Sequence, residues 1–258
     1  MKVVIFAGGL GTRIAEETET RPKPMIEIGG KPILWHIMKI YAHYGFNDFI
    51  ICLGYKGYII KEYFMHYYLH NADITIDVEN NKVTSHYSNS ESFKVTLVDT
   101  GLSTKTAGRL QQVQKYVGNE AFMLTYGDGV ADLDIPGLLK FHRLHGKMAT
   151  VTAVQPEPRF GGMSLNREDV VEHFKEKPKE DGKWVNGGFF VLQPEVFGYL
   201  NGNMNNTMWE DDPMEELVKD RQLVAYKHTG FWKCMDAMRD KLELEAYWQN
   251  EHAKWKIW

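Results

Sequence analysis

A short apolar run that ends in a glycine-rich turn restricts what this chain can fold into. Residues 2–6 are mostly β-branched or aromatic, which predicts a buried strand. The next segment has three glycines within four positions, at residues 8, 9 and 11. Such a backbone can approach a ligand closely, and its successive N–H groups form a concave site for an anion. Because Arg13 and Lys23 add positive charge, the sequence predicts a polyphosphate-binding loop.

Two familiar phosphate-binding loops are excluded by individual residues. A Walker A loop requires Lys and then Ser or Thr directly after its last glycine, whereas Thr12 and Arg13 follow Gly11. The dinucleotide fingerprint requires a third Gly or Ala at the position that Ile14 occupies. The loop is therefore a phosphate-binding loop of neither of these two types.

Composition limits the partners and the compartment. The chain has 30 Lys and Arg against 34 Asp and Glu, so it lacks the basic excess expected of a nucleic-acid-binding surface. Its 2 cysteines cannot build a disulfide framework or a zinc motif, which fits a reducing compartment. The sequence shows no signal-peptide pattern and no apolar stretch long enough for a membrane span. We therefore expect a cytoplasmic protein with neither nucleic acid nor membrane as a partner.

The first third of the chain alternates strands and helices. Apolar spacing predicts a helix that starts at Pro32 and ends at Gly45, a strand over 49–53 and a helix over 58–70. This alternation is typical of a parallel sheet with crossover helices. We predict an α/β fold: a Rossmann-like mixed, mainly parallel sheet flanked by helices.

The alternation is interrupted after residue 72. Residues 73–78 and 82–87 alternate around Asn80 and Asn81, which predicts a β-hairpin. We interpret about 73–92 as a small β insertion in a single domain that covers residues 1–258.

Further elements follow from apolar runs and capping residues. A polar loop is predicted over 99–108 and a helix over 109–117, and Asp134 is the expected N-cap of a later helix that ends at His145. Strands are predicted over 93–98, 122–126, 149–154, 170–174, 184–192 and 223–226. Helices are predicted over 195–200, 209–221 and 237–249.

Asp128 is the carboxylate best placed for chemistry. It follows the predicted strand 122–126 and stands between Gly127 and Gly129. Ligands of open α/β sheets bind outside the carboxyl ends of the strands, and a carboxylate beside phosphates suits Mg²⁺. An aspartate between glycines is also common in turns, so the residues alone leave both roles open.

The glycine-rich loop followed by Thr12, Arg13 and the Pro22-Lys23-Pro24 segment resembles the signature of the sugar-nucleotidyltransferase family. Further segments resemble the glucose-1-phosphate cytidylyltransferases within it: residues 31–38, 53–58, 97–101, 126–132 and 185–192. That resemblance implies the nucleotide-diphospho-sugar transferase fold. It also implies an enzyme that makes CDP-glucose and pyrophosphate from CTP and α-D-glucose 1-phosphate, with Mg²⁺ as cofactor.

The resemblance also assigns residues to the nucleotide. It implies that Arg13 and Lys23 are catalytic and hold the triphosphate, and that Thr104 and Arg109 contact the nucleotide. The other residues that it places at the substrate are Phe6, Ala7, Gly8, Gly9, Leu10, Gly11, Thr12 and Gly127.

The resemblance further assigns the metal and the sugar phosphate. It implies that Asp128 and Asp236 hold the metal, although Trp232 and Asp236 are four apart where the family has Trp-x-Asp. Helix N-capping is therefore the competing role of Asp236. Lys177 is expected to be catalytic by neutralising the sugar phosphate. Glu176 is expected to bind sugar hydroxyls, and the turn at Asn186 and Gly187 to contact the sugar.

Two alternatives remain open from the sequence. One is the same reaction with dTTP or UTP, and the other is a non-catalytic nucleotide-sugar sensor on the same fold. The presence of Arg13, Lys23, Asp128, Lys177 and Asp236 argues against a sensor, which can lose its metal carboxylates. The resemblance also implies a homo-oligomer, for which the family suggests a hexamer, and a role in O-antigen and lipopolysaccharide synthesis.

Overall fold

The computed structural model describes residues 1–88, 91–156, 162–166, 168, 170–175 and 183–258, with backbone alone at 87–88, 162–165 and 173–175. The strands are β1 Lys2–Ala7, β2 Glu27–Ile28, β3 Lys31–Pro32, β4 Asp48–Leu53, β5 Ala72–Asp77, β6 Lys82–Ser88, β7 Lys94–Asp99, β8 Phe122–Tyr126, β9 Gly129–Ala131, β10 Ala149–Val154, β11 Gly162–Leu165, β12 Val171–Lys175, β13 Val185–Leu192, β14 Leu223–His228 and β15 Trp232–Cys234. The α-helices are α1 Ala15–Thr18, α2 Ile33–His43, α3 Gly57–His70, α4 Thr106–Val117, α5 Ile135–His145, α6 Asp212–Lys219 and α7 Met238–Gln249. Short 3₁₀ helices cover Thr12–Ile14, Lys23–Met25 and Pro194–Tyr199.

A seven-stranded sheet in the order β14-β10-β13-β8-β1-β4-β7 forms the centre of the fold. Strand β1 is parallel to both β4 and β8, β4 is parallel to β7, and β10 is parallel to β14. Strand β13 runs antiparallel to its neighbours β8 and β10. The predicted mixed, mainly parallel sheet is therefore confirmed.

The central strands are apolar on both faces because the sheet lies between two hydrophobic cores. Along β1, Val3 and Ile5 face one core, while Val4 and Phe6 face the other. This alternation follows from the two-residue period of a strand. Helices α2, α5 and α7 contribute to the first core, and α4 contributes to the second. Continuous apolar runs are thus what a sheet covered on both sides requires.

The predicted hairpin is present. Strands β5 and β6 pair antiparallel from Ala72 opposite Ser88 to Asp77 opposite Lys82. The turn between them is held by the Asp77 carboxylate, which accepts from the backbone N–H of Asn80 at 3.1 Å. Asn81 takes the positive φ of 50° that such a turn needs. The division of the chain into one domain with an insertion stays a prediction.

Several predicted boundaries are wrong for tertiary reasons. Helix α4 begins at Thr106 and not at residue 109. Its polar, glycine-containing start is fixed by a distant segment, since the N–H of Lys105 donates to the Asn205 carbonyl at 2.8 Å. The helix predicted over 209–221 is the shorter α6, and the one predicted over 195–200 is a 3₁₀ helix. The sequence reading also missed the short strands β2, β3, β9, β11 and β15.

Across the ranges that the structure describes, no helix has both the length and the apolar character needed to cross a bilayer.

Candidate active site

The carboxyl ends of the parallel strands bring the predicted loop to one edge of the sheet. The Phe6 carbonyl at the end of β1 accepts from the N–H of Gly127, which follows β8, at 2.9 Å. The Gly8 carbonyl accepts from the N–H of Tyr55, which follows β4, at 3.2 Å. Phe6 and Ala7 are buried, whereas Leu10 is 52% exposed on the open side. The loop thus lies where an open α/β sheet binds ligands.

Gly11 ends this loop and starts a helical turn. It has a φ of 66°, and its carbonyl accepts from the N–H of Ile14 at 3.0 Å. A Cβ at this position would lie 2.7 Å from the Cγ2 of Thr18, so both the conformation and the space favour glycine. Thr12 and Arg13 therefore stand on the first turn after the loop, and their backbone N–H groups begin that turn.

Arg109 lies beneath the loop and is 4% exposed. Its guanidinium donates to the carbonyl of Leu53 at 2.8 Å, to the hydroxyl of Thr100 at 2.6 Å and to the carbonyl of Gly8 at 2.9 Å. Burial lowers the pKa of Arg109, and the three acceptors satisfy the buried charge. A Cβ on Gly8 would fall 2.1 Å from its Nη1, so this arginine requires glycine there. Arg109 thus ties together the ends of three neighbouring strands.

Thr104, the other residue predicted at the nucleotide, is half-buried in the largely exposed segment before α4. Its Oγ1 is 2.8 Å from where a Cβ on Gly101 would stand. The structure thus brings Thr104 and Arg109 to the same edge as the glycine-rich loop. Their contact with a nucleotide stays a prediction.

A cluster of two cations and two carboxylates lies beside the loop. The ammonium of Lys23 is 2.7 Å from Oδ2 of Asp128 and 2.9 Å from Oδ1 of Asp236. The guanidinium of Arg13, whose side chain is 73% exposed, is 3.0 Å from Oδ2 of Asp236. The two predicted metal carboxylates and the two predicted phosphate-binding cations therefore share one site.

The pKa values in this cluster reflect mutual neutralisation. Burial would lower the pKa of Lys23, but the charge of Asp128 and the bonds to both carboxylates raise it overall. Burial would raise the pKa of Asp236, but Lys23 and then Arg13 lower it overall. Both ends of the Lys23–Asp236 contact are therefore charged at neutral pH.

Strands β9 and β15 explain why these distant residues meet. They pair antiparallel with Cys234 opposite Gly129. The N–H of Met235 continues the ladder by donating to the carbonyl of Asp128 at 2.9 Å. Asp236, the next residue, is thereby placed next to Asp128.

The competing role of Asp236 as a helix cap is filled by other residues. Helix α7 has Ala237 as its N-cap. The carboxylate of Asp240 accepts from the N–H of Asp236 at 3.0 Å and from that of Ala237 at 2.9 Å. The side chain of Asp236 is thereby left to the cations.

The donor set fits a divalent cation. Asp128, Cys234 and Asp236 each offer one ligand atom, and these atoms lie within 4.8 Å of one another. Hard cations such as Mg²⁺ prefer carboxylate oxygen to sulfur. Burial and then the charge of Asp128 raise the pKa of Cys234, which keeps its thiol protonated. The two carboxylates are thus the ligands suited to a hard cation.

The predicted sugar turn lies on β13 next to this cluster. The Asn186 amide nitrogen donates to the hydroxyl of Tyr126 at 3.0 Å, and the Gly187 carbonyl accepts from the indole N–H of Trp232 at 2.8 Å. Since Trp232 begins β15, the turn is joined to the strand that leads to Asp236. Glu176 and Lys177 lie outside the described residues, so their predicted roles stay predictions.

The sequence reading missed Glu210 and the place of Cys234 in the cluster. Glu210 accepts hydrogen bonds from the hydroxyls of Tyr126 and Thr106, the latter at 2.7 Å. Its sequence signal is weak, because it opens the acidic run 210–212, whose last residue begins helix α6. Cys234 offered a clearer signal, since it stands two residues before the predicted ligand Asp236.

Comparison with known proteins decides the family. The family described as Nucleotidyl transferase matches residues 2–249. The chain belongs to this family. It is 54% identical to glucose-1-phosphate cytidylyltransferase of Salmonella typhimurium and 53% identical to that of Salmonella typhi, with all of each chain covered. The resemblance read from the sequence is thus confirmed.

A solved structure supports the fold independently. HddC from Yersinia pseudotuberculosis, complexed with GMP-PN, matches with a TM-score of 0.67 at 21% identity. The match covers 96% of this chain and 99% of HddC. At this identity the likeness concerns the fold alone, and it agrees with the predicted nucleotide-diphospho-sugar transferase fold.

Proposed function

We propose that this chain transfers the cytidylyl group of CTP to α-D-glucose 1-phosphate and releases CDP-glucose and pyrophosphate. The observation that carries the proposal is the cluster in which Lys23 lies between Asp128 and Asp236, beside a glycine-rich loop. This cluster combines groups for phosphate and for a divalent cation. The relatives at 54% and 53% identity are glucose-1-phosphate cytidylyltransferases, and this relationship indicates the sugar and the base.

The chemistry asks for positioning and charge neutralisation more than for a proton-transfer residue. An oxygen of the sugar phosphate, already ionised at neutral pH, forms a bond to the α-phosphorus. The bond from that phosphorus to the bridging oxygen breaks, and pyrophosphate carries the electron pair away. Catalysis then depends on holding two anions in line and stabilising the added charge.

The chain offers groups for each of these tasks. The loop at residues 8–11 and the turn beginning at Thr12 provide backbone N–H groups for the triphosphate. Arg13 is largely exposed and can reach an incoming phosphate. Lys23 is held in position by its ion pairs with two carboxylates. Lys177 is proposed to neutralise the phosphate of the sugar.

Asp128 and Asp236 are the residues that would hold Mg²⁺. When bound, Mg²⁺ would supply positive charge that neutralises the phosphates. The antiparallel ladder between β9 and β15 holds both carboxylates in place before any ligand arrives. This preorganisation limits the reorganisation that binding requires.

A pyrophosphate-release assay with CTP, glucose 1-phosphate and Mg²⁺ tests the proposal. We expect turnover that requires all three components and falls when UTP or dTTP replaces CTP at equal concentration. Turnover that is faster with dTTP or UTP would favour the alternative nucleotide. Tight CDP-glucose binding without turnover would favour the sensor. The homo-oligomer, its hexameric form, the cytoplasmic location and the role in O-antigen synthesis stay predictions.

A further inference from the structure

Glu210 joins the start of helix α4 to the end of strand β8. One carboxylate oxygen accepts from the hydroxyl of Thr106, the first residue of α4, at 2.7 Å. The other accepts from the hydroxyl of Tyr126, the last residue of β8. Thr106 is fixed in turn, because its oxygen accepts from the backbone N–H of Trp209 at 2.7 Å. Glu210 is therefore held from both sides.

The direction of these bonds determines what Tyr126 can offer. A phenol has one proton, and that proton goes to Glu210. The phenol oxygen can thus only accept on its other side, where it receives the amide N–H of Asn186 at 3.0 Å.

The same logic fixes the amide of Asn186. Its oxygen accepts from the backbone N–H of Gly188 at 2.9 Å, and its nitrogen donates to Tyr126. With both ends engaged, the amide cannot flip without losing two bonds. An amide nitrogen carries two protons, and the second proton of this exposed side chain bonds none of the described residues, so it can serve as a donor to a ligand.

We propose that Glu210 is a positioning residue for the sugar, which acts through Tyr126 to hold the Asn186 amide as a donor to a hydroxyl oxygen of the hexose 1-phosphate. This inference rests on the proposed function. Without the Glu210 carboxylate, Tyr126 can turn its proton towards Asn186. The phenol oxygen then no longer selects the nitrogen end of the amide, and the orientation of the amide is no longer fixed. The effect should therefore fall on sugar binding and much less on the nucleotide.

The test compares Glu210→Met, which leaves no acceptor oxygen for Tyr126, and Tyr126→Phe with the wild type in steady-state kinetics. We expect each variant to raise KM for glucose 1-phosphate about tenfold, which corresponds to about 1.4 kcal/mol. KM for CTP should change less than about twofold, and kcat should stay within a few-fold. The double variant should lose no more than the worse single variant, because the two residues act in one chain of bonds.

The chain offers a matched control. Tyr67 donates to Glu91 and accepts the indole N–H of Trp35 at 2.9 Å, which repeats the same bond pattern away from the site. Glu91→Met and Tyr67→Phe should leave both KM values unchanged. The thermal melting of each variant shows whether it folds, and Tyr126→Phe keeps the ring and remains a test if Glu210→Met is unstable.

Three results would overturn the inference. They are folded Glu210 variants with an unchanged KM for the sugar, equal increases in KM for both substrates, and additive losses in the double variant. Failure of the proposed function would look different, because the wild type itself would then release no pyrophosphate from CTP and glucose 1-phosphate.

Discussion

The backbone N–H of Met235 donates to the carbonyl of Asp128 at 2.9 Å. This bond continues the short ladder between β9 and β15 and sets the starting point of the next residue, Asp236. Two carboxylates that are more than a hundred positions apart in the sequence thereby reach the same ammonium of Lys23. The proposed metal site is a consequence of this backbone pairing.

Asp128→Asn is expected to lower kcat by about 100-fold or more. The change keeps the shape of the side chain but removes the negative charge that would hold Mg²⁺ beside the phosphates. Folding should be nearly intact, since the backbone bond to Met235 does not involve the side chain. Steady-state turnover and thermal melting check the two statements. Asp132→Asn is the control, because that carboxylate contacts His228 at 3.1 Å outside the cluster. A folded Asp128 variant with wild-type turnover would exclude the assignment.

Lys23→Met is expected to strengthen Mg²⁺ binding in the absence of nucleotide by about tenfold, since the ammonium no longer neutralises the two carboxylates. The same variant should lower kcat/KM for CTP, because a phosphate-binding charge is lost. Calorimetric titration of the free enzyme with Mg²⁺ measures the first effect, and kinetics measures the second.

A lysine on the neighbouring strand provides the control for this variant. Lys233 binds the carboxylate of Glu243 at 2.6 Å and lies 3.9 Å from Asp240, outside the cluster. Lys233→Met should leave Mg²⁺ binding unchanged. If Lys23→Met weakened Mg²⁺ binding, the ammonium and the metal would not share the carboxylates as we infer.

The central sheet could be predicted because its strands are buried on both faces. Strands β8 and β10 match their predicted ranges, since a continuous apolar run shows where such a strand begins and ends. The N-cap of α5 was also predictable, because Asp134 acts locally and accepts from the N–H of Gly137 at 3.0 Å. Signals of this kind are contained within a few residues.

The contacts that build the site could not be predicted in the same way. Strands β9 and β15 have three residues each, and their pairing joins segments about a hundred residues apart. No periodicity develops over three residues. The role of Arg109 was equally hidden, because its acceptors are carbonyl and hydroxyl groups at the ends of other strands. Residue type gives no information about such partners.

His36 is expected to make the fold sensitive to mild acid. It is fully buried, its Nε2 lies 2.8 Å from the Ile28 carbonyl, and its Nδ1 accepts from the indole of Trp255 at 3.3 Å. This arrangement suits the neutral ring, and burial lowers the pKa of His36 to about 4. In the unfolded chain His36 therefore binds a proton below about pH 6.5, whereas in the folded chain it binds one only below about pH 4.

The stability supplied by neutral His36 is thus complete above pH 6.5 and is lost progressively as the pH falls towards 4. When the pH falls from 7 to 5, protonation of this residue in the unfolded chain should lower the free energy of unfolding by about 2 kcal/mol. Denaturant unfolding at both pH values measures the change, and His36→Gln should show a smaller difference between them. Because the pKa of His142 is also lowered to about 4, His142→Gln must be measured beside it. Equal pH slopes in wild type and His36→Gln would contradict the assignment.

Arg109 tests the choice of base. The sequence resemblance places it at the nucleotide, while the structure shows its guanidinium bonded to Gly8, Leu53 and Thr100. Arg109→Ala should lower kcat/KM for CTP by about tenfold or more, since a charged donor is worth about 1.5–3 kcal/mol per bond. A contact with the cytosine would also narrow the ratio of kcat/KM for CTP to that for UTP. A role confined to supporting the loop at Gly8 would instead lower both values by the same factor. Measuring both nucleotides with glucose 1-phosphate saturating separates these cases, and an unchanged ratio would place base selection elsewhere in the site.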